Sequence, residues 1–236
     1  MRILNAIFLV IAILTSSLRI EAKEKADDPP NVIFIICDDL NDYQGVFGGH
    51  PQAITPNMDA LAASGVQFLN AASNAPVCMP SRNSIFTGVY PHDSKDFGWT
   101  GRTKQPVLKF NKPIMQLFKE NGYYMAGSGK LIHEHEPALW DSWGMNKKHN
   151  YGPLYFDGTN TGAHPGVPSP YREIGAIDGS YGSFASAGIS SGVQGQPGFV
   201  YGNDLTPFRY VTDNDRDLMQ DEKHAQWAVE KLQQFE

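Results

Sequence analysis

Residues 31–37, Asn-Val-Ile-Phe-Ile-Ile-Cys, form an unbroken apolar, β-branched run between Pro30 and Asp38. A run of that length without polar alternation suits a central strand buried on both faces, as in a parallel sheet. Beyond it the pattern turns helical. Thr55 can cap a helix that Pro56 opens and Gly65 ends. A short helix over 80–86 closes at Gly88, and another over 113–121 again has Pro near its start and Gly122 just past its end. Residues 123–126 read as a second strand. A last helix over 221–235 places Ala225, Ala228, Val229 and Leu232 on one face. Strands alternating with helices predict an α/β fold with a mainly parallel sheet flanked by helices.

Two stretches depart from this alternation. Arg2 precedes a short apolar run over 6–14, the pattern of a secretory signal over 1–22 with Ala22 as the cleavage point. The run is short for a membrane span; an N-terminal anchor or a buried helix is the alternative. Residues 23–30 form a charged linker ending in Pro29-Pro30. Residues 151–203 are rich in glycine and contain one basic residue, Arg172. Such a segment inside a compact domain reads as a functional loop excursion.

Composition narrows the function classes. The chain has 236 residues, 41% hydrophobic and 19% charged, which excludes wholesale disorder. A net charge of −6 argues against a nucleic-acid partner. Two cysteines exclude a disulfide scaffold. A Cys37–Cys78 bridge stays open for an exported protein, but Cys37 lies in the apolar run and reads better as a small core residue.

Three constellations carry chemistry. Asp38-Asp39 follow the first strand, where ligands of open α/β sheets bind; two adjacent carboxylates suit a hard cation such as Ca²⁺ or Mg²⁺, or form a solvated turn. Cys78-Met-Pro-Ser-Arg82 places a cysteine at a helix N-terminus, where the dipole favours an anion or an activated thiol. Arg82 faces the same way one turn on. The alternative is a buried cysteine before an ordinary helix. Lys130 and His133 follow the second strand and could bind an oxyanion and move a proton, or lie in a polar loop. His133-Glu134-His135 lacks the helical spacing of a zinc protease.

In this order the pieces resemble the formylglycine-dependent sulfatases, of the alkaline-phosphatase-like superfamily. The resemblance runs through residues 31–40, Thr55-Pro-Asn-Met-Asp59, Cys78-x-Pro-Ser-Arg82, Thr87-Gly-Val-Tyr-Pro-His92 and Gly129-Lys130-x-x-His133. It is close over 31–133 and looser beyond. Met79 and Met125 depart from the small and hydroxyl residues usual there. The two residues between Lys130 and His133 are similar to the iduronate-2-sulfatase branch.

The resemblance implies that Cys78 is oxidised to formylglycine by a maturing enzyme. One hydroxyl of the hydrated aldehyde then attacks the sulfur of a sulfate ester, and the second expels sulfate. It implies Ca²⁺ on Asp38, Asp39 and residue 78, and catalytic roles for Cys78, Arg82, Lys130 and His133. It also implies a sulfated small molecule or polysaccharide as substrate, while the 1–22 segment implies export with no stable membrane span. Arg102, Lys104, Lys147 and Lys148 are candidates for polyanion contact. Ca²⁺ takes about 6–8 oxygens, and no later carboxylate motif supplies the rest. Asp213-Asn214-Asp215 reads as a solvated turn. The expectation is therefore the N-terminal part of a catalytic domain over 31–236, incomplete at its C-terminus. The alternatives are a non-catalytic remnant or binding module, and a phosphodiester or phosphonate hydrolase of the same superfamily.

Overall fold

The computed structural model describes residues 29–144, 153–175, 184, 188–202 and 205–235. The expected signal over 1–22 and nearly all of the linker lie outside these. The chain divides into two units, 1–36 and 37–236. In the first, the described residues carry no assigned strand, and Val32, Ile33, Phe34 and Ile35 are each more than half exposed. The doubly buried central strand expected over 31–37 is therefore not formed. β-Branched composition favours a strand once neighbours cover it, but does not supply those neighbours.

In the second unit the helix ends fall close to where Pro and Gly place them. Helix α1 (Pro56–Ser64) starts on its proline and is followed by Gly65. Thr55 does not cap it in the expected way. Its hydroxyl accepts from the Gly45 N–H at 2.9 Å and donates to Asp59 Oδ1 at 3.1 Å, while Asp59 Oδ1 accepts from the Val46 N–H at 2.8 Å. These bonds stitch α1 to a 3₁₀ turn over Gly45–Phe47. The approach is close: a Cβ on Gly45 would stand 2.7 Å from Asp59.

Helix α2 (Cys78–Thr87) begins at the motif cysteine and ends at Gly88, whose φ of 70° is the left-handed turn glycine allows. It buries Met79, Pro80, Arg82, Asn83, Ser84 and Phe86. A helix with that many buried polar groups must satisfy each of them. Accordingly Asn74 donates to Ser84 Oγ at 3.0 Å, and Asn83 donates to Asp96 Oδ2 at 2.8 Å. A short helix α3 (Pro91–Ser94) follows, then α4 (Ile114–Glu120), which buries Met115.

The second strand, expected over 123–126, is shifted and shorter: β1 is Ala126–Gly127, parallel to β2 (Ser142–Trp143), and residues 123–125 lie outside it. The 151–203 segment, read as a loop excursion, holds strands in its described part: β3 (Leu154–Phe156), β4 (Thr161–Gly162), β5 (Ser190–Ser191) and β6 (Gly198–Tyr201). With β7 (Thr206–Thr212) and β8 (Asp215–Arg216) they form an antiparallel sheet of order β4-β3-β6-β7-β5, with β8 on β7. Phe184, Phe199, Tyr201, Phe208 and Tyr210 make its core, several at edge-to-face geometry. The parallel pair β1–β2 and the antiparallel sheet are separate, so among the described residues the larger sheet is antiparallel where a mainly parallel one is expected; helices and strands together remain an α/β fold.

Helix α5 (Gln220–Gln233) starts where the Met219 N–H donates to Glu222 at 2.7 Å. The apolar stripe of this helix does not face the core. Ala225, Ala228, Val229 and Leu232 are exposed. His224 and Trp227 pack instead against Gly129 and Gly144, where the missing side chains leave room; a Cβ on Gly144 would meet Trp227 at 2.4 Å. Among the described residues no helix is long and apolar enough to cross a membrane.

Candidate active site

Three chain segments meet at one point. Asp38 and Asp39 form a turn, with Asp39 at a φ of 52° that side chains rarely adopt. Cys78 starts α2 after an extended Val77. Ligand atoms of Asp38, Asp39 and Cys78 lie within 4.8 Å of one another, the one such cluster among the described residues. His133-Glu134-His135 forms no such group; His135 packs on Trp143 with ring centroids 4.4 Å apart.

Arg82 organises this meeting. Its side chain is 5% exposed. Nη2 donates to Asp38 Oδ1 at 2.7 Å, and Nη1 donates to the carbonyls of Lys130 at 2.5 Å and Leu131 at 2.9 Å. A planar guanidinium can hold three acceptors in fixed directions, which an ammonium cannot. Lys130, placed after β1 by the left-handed turn at Gly129, donates from Nζ to Asp38 Oδ2. Burial pushes the Asp38 carboxyl up. Hydrogen bonds from Lys130 and Arg82, with their charges, more than offset this and hold it below its ordinary value.

His133 stands beside this cluster. Burial, then the charges of Lys130 and Arg82, hold its imidazole below the ordinary value of 6.5, against the opposing pull of Asp38 and Glu134. It is therefore neutral at pH 7. His224 is also held low, by burial with Asp221 opposing, and shares a 2.7 Å hydrogen bond between Nδ1 and Ser128 Oγ. Both groups take up a proton more readily unfolded than folded. Their contribution to stability is present above about pH 6.5 and is lost as pH falls through the lowered values. Asp38 titrates only at much lower pH. The melting temperature of the intact protein should drop by a few degrees between pH 7.5 and 5.5. His224→Gln, which can keep the Ser128 bond without titrating, should flatten that slope; an unchanged slope would remove His224 from the account.

Several expectations are revised. Cys37 is exposed, not a core residue, and both cysteines are free thiols. Arg102 is held by a two-pronged ion pair to Glu136, with Nε donating to Oε1 at 2.9 Å, so it braces the fold. Lys104 remains exposed; Lys147 and Lys148 lie outside the described residues. Asp213 accepts from the Tyr210 hydroxyl at 3.0 Å and Asp215 pairs with Arg209 at 2.7 Å, a surface turn as expected. The Ser128–His224 contact and the Asn83–Asp96 tie had no sequence signal, since each joins residues that no motif links.

The family model for sulfatases matches residues 30–173. The chain belongs to the sulfatase family. It is 38% identical to a sulfatase of Formosa agariphila over 156 residues, 62% of this chain and 31% of that one. An ulvan-active sulfatase of the same organism is 29% identical over 170 residues, 66% of this chain and 32% of that one. Human iduronate 2-sulfatase is 37% identical over 106 residues, 45% of this chain and 19% of that one. The chain spans about a third of the length of the first two relatives. The cluster of Asp38, Asp39, Cys78, Arg82, Lys130 and His133 lies wholly within the matched sulfatase region.

Proposed function

We propose that the protein to which this chain belongs hydrolyses sulfate esters of saccharides, using residue 78 as nucleophile. The observation that carries this reading is the convergence of Cys78, Asp38 and Asp39 within 4.8 Å, with Arg82 and Lys130 both bound to Asp38. The cluster holds two carboxylates and two cations, both cations on Asp38, so the protein's own charges nearly balance. A divalent ion would make the site electropositive, as an anionic sulfate ester requires.

The donors fit Ca²⁺ in part. Asp38 and Asp39 offer hard carboxylate oxygens, and each Asp38 oxygen keeps a lone pair beyond its hydrogen bond. A cysteine sulfur is a poor partner for Ca²⁺; an oxygen on residue 78 suits it, which favours conversion of Cys78 to formylglycine by a maturing enzyme. Ca²⁺ held by Asp38, Asp39 and residue 78 would supply Lewis-acid stabilisation of sulfate oxygens. Formylglycine would supply a hydrated aldehyde, one hydroxyl to attack and one to release sulfate. Arg82 orients Asp38 and fixes the Lys130 backbone. Lys130 Nζ binds a sulfate oxygen. His133, neutral at pH 7, accepts a proton on its ring.

The two-residue spacing of Leu131 and Ile132 supports the iduronate-2-sulfatase branch within the family. We read 1–22 as an export signal, 23–30 as a linker and 31–236 as the N-terminal part of the catalytic domain, acting outside the cytoplasm. The test is release of inorganic sulfate from a sulfated oligosaccharide by the intact, matured protein. Turnover should exceed that of the matching phosphate ester by at least about a hundredfold, or about 2.7 kcal/mol, and fall on chelation of Ca²⁺. The reverse preference would favour a phosphodiester or phosphonate hydrolase, and no turnover of either would defeat the reading.

A further inference from the structure

Beside the cluster stands a loop that the chemistry above does not use. Asn83, on the helix that carries Cys78 and Arg82, donates to Asp96 Oδ2 at 2.8 Å and to the Thr100 carbonyl at 3.3 Å. Asn83 and Asp96 are both buried. The loop is thus tied at both ends to the helix of the nucleophile. Between the ties its two aromatic side chains turn outward: Phe97 is 59% exposed and Trp99 is 65% exposed. The Trp99 ring tilts at 57° against the His133 ring, centroids 5.2 Å apart. Glu134, next to His133 in the chain, lies over Gly101, where a Cβ would meet it at 1.8 Å. Glu134 stands 3.7 Å from the exposed Lys104.

An indole left open to water forgoes a large apolar burial. Here it is held in place by buried polar ties, next to a group of the site. We infer that Trp99 is a specificity-determining residue, a stacking platform for the pyranose ring that carries the scissile sulfate. This inference rests on the sulfate-ester reading above. A pyranose ring has a face of C–H groups and a rim of hydroxyls. The C–H face meets the negative face of the indole, while Lys104 as donor and Glu134 as acceptor bond hydroxyls at the rim. The ties to Asn83 keep the platform at a set distance from residue 78, so the sugar is positioned without ordering the loop at each turnover.

The test compares Trp99→Ala, Trp99→Phe and the parent in the intact, matured protein. The substrates are a sulfated pyranoside and an acyclic alkyl sulfate. Trp99→Ala should raise KM for the pyranoside about five- to tenfold, with kcat changed far less, and should change KM for the alkyl sulfate at most about twofold. Trp99→Phe should recover most of the loss. Equal losses on both substrates, or an unchanged pyranoside KM, would overturn the platform. A parent that releases sulfate from neither substrate would instead defeat the sulfate-ester reading on which it rests. Melting temperatures of the variants separate either result from misfolding: a Trp99→Ala protein that melts well below the parent marks Trp99 as a packing residue and overturns the inference.

Discussion

Cys78→Ala is expected to abolish sulfate-ester turnover, by about a thousandfold or more, while leaving the fold intact. The side chain opens helix α2 and is only partly buried, and alanine is well accepted in a helix. The stability change should stay within about 1 kcal/mol. Mass spectrometry of the peptide containing residue 78, from cells able to mature it, should show an aldehyde in place of the thiol. Cys78→Ser refines the result. A serine retains one hydroxyl but lacks the second that releases sulfate, so turnover should stop after at most one event per molecule. Full turnover in Cys78→Ala, or an unmodified thiol in an active protein, would separate the cysteine from the chemistry.

Arg82→Ala should lower both stability and activity. Its guanidinium is nearly buried and donates to Asp38 and to the carbonyls of Lys130 and Leu131. Removing it leaves two carbonyls and a carboxylate short of donors, a loss of about 2–4 kcal/mol. The Asp38 share belongs at the low end, because its side chain is 35% exposed and water screens it. The Asp38 carboxyl should then move up toward its ordinary value, having lost a cationic partner. Activity should fall further than stability requires, since Lys130 loses the anchor for its backbone. Arg82→Lys should fall between the two, keeping the charge but not the three directed bonds. Thermal melts and kcat on a sulfated substrate check this; an Arg82→Ala protein that melts like its parent would show that Arg82 does not brace the cluster.

Much of the candidate site is legible in the sequence because its signals are local. Asp38-Asp39, Cys78 with Arg82 one turn on, and Lys130 near His133 each carry their chemistry within a few residues. Pro56, Gly65, Gly88 and Gly122 mark helix ends through backbone geometry at single positions. How an apolar segment packs is not local. Residues 31–37 have the composition of a buried strand, yet they form no assigned strand and leave Val32, Ile33, Phe34 and Ile35 exposed. Helix α5 has an apolar stripe, yet it turns His224 and Trp227 inward because Gly129 and Gly144 leave room there. Periodicity identifies an apolar face, but the shape of the facing surface selects the one that packs.

By itself, then, the sequence determined which reactive groups exist and where several helices stop, because both depend on residue type and near neighbours. The tertiary structure alone decided that Lys130 reaches Asp38 across 92 residues and that Arg82 does so across 44. It also decided that Trp99 stands open beside His133. Such contacts depend on how distant elements pack and on buried donors finding acceptors, neither of which a local pattern of residues encodes.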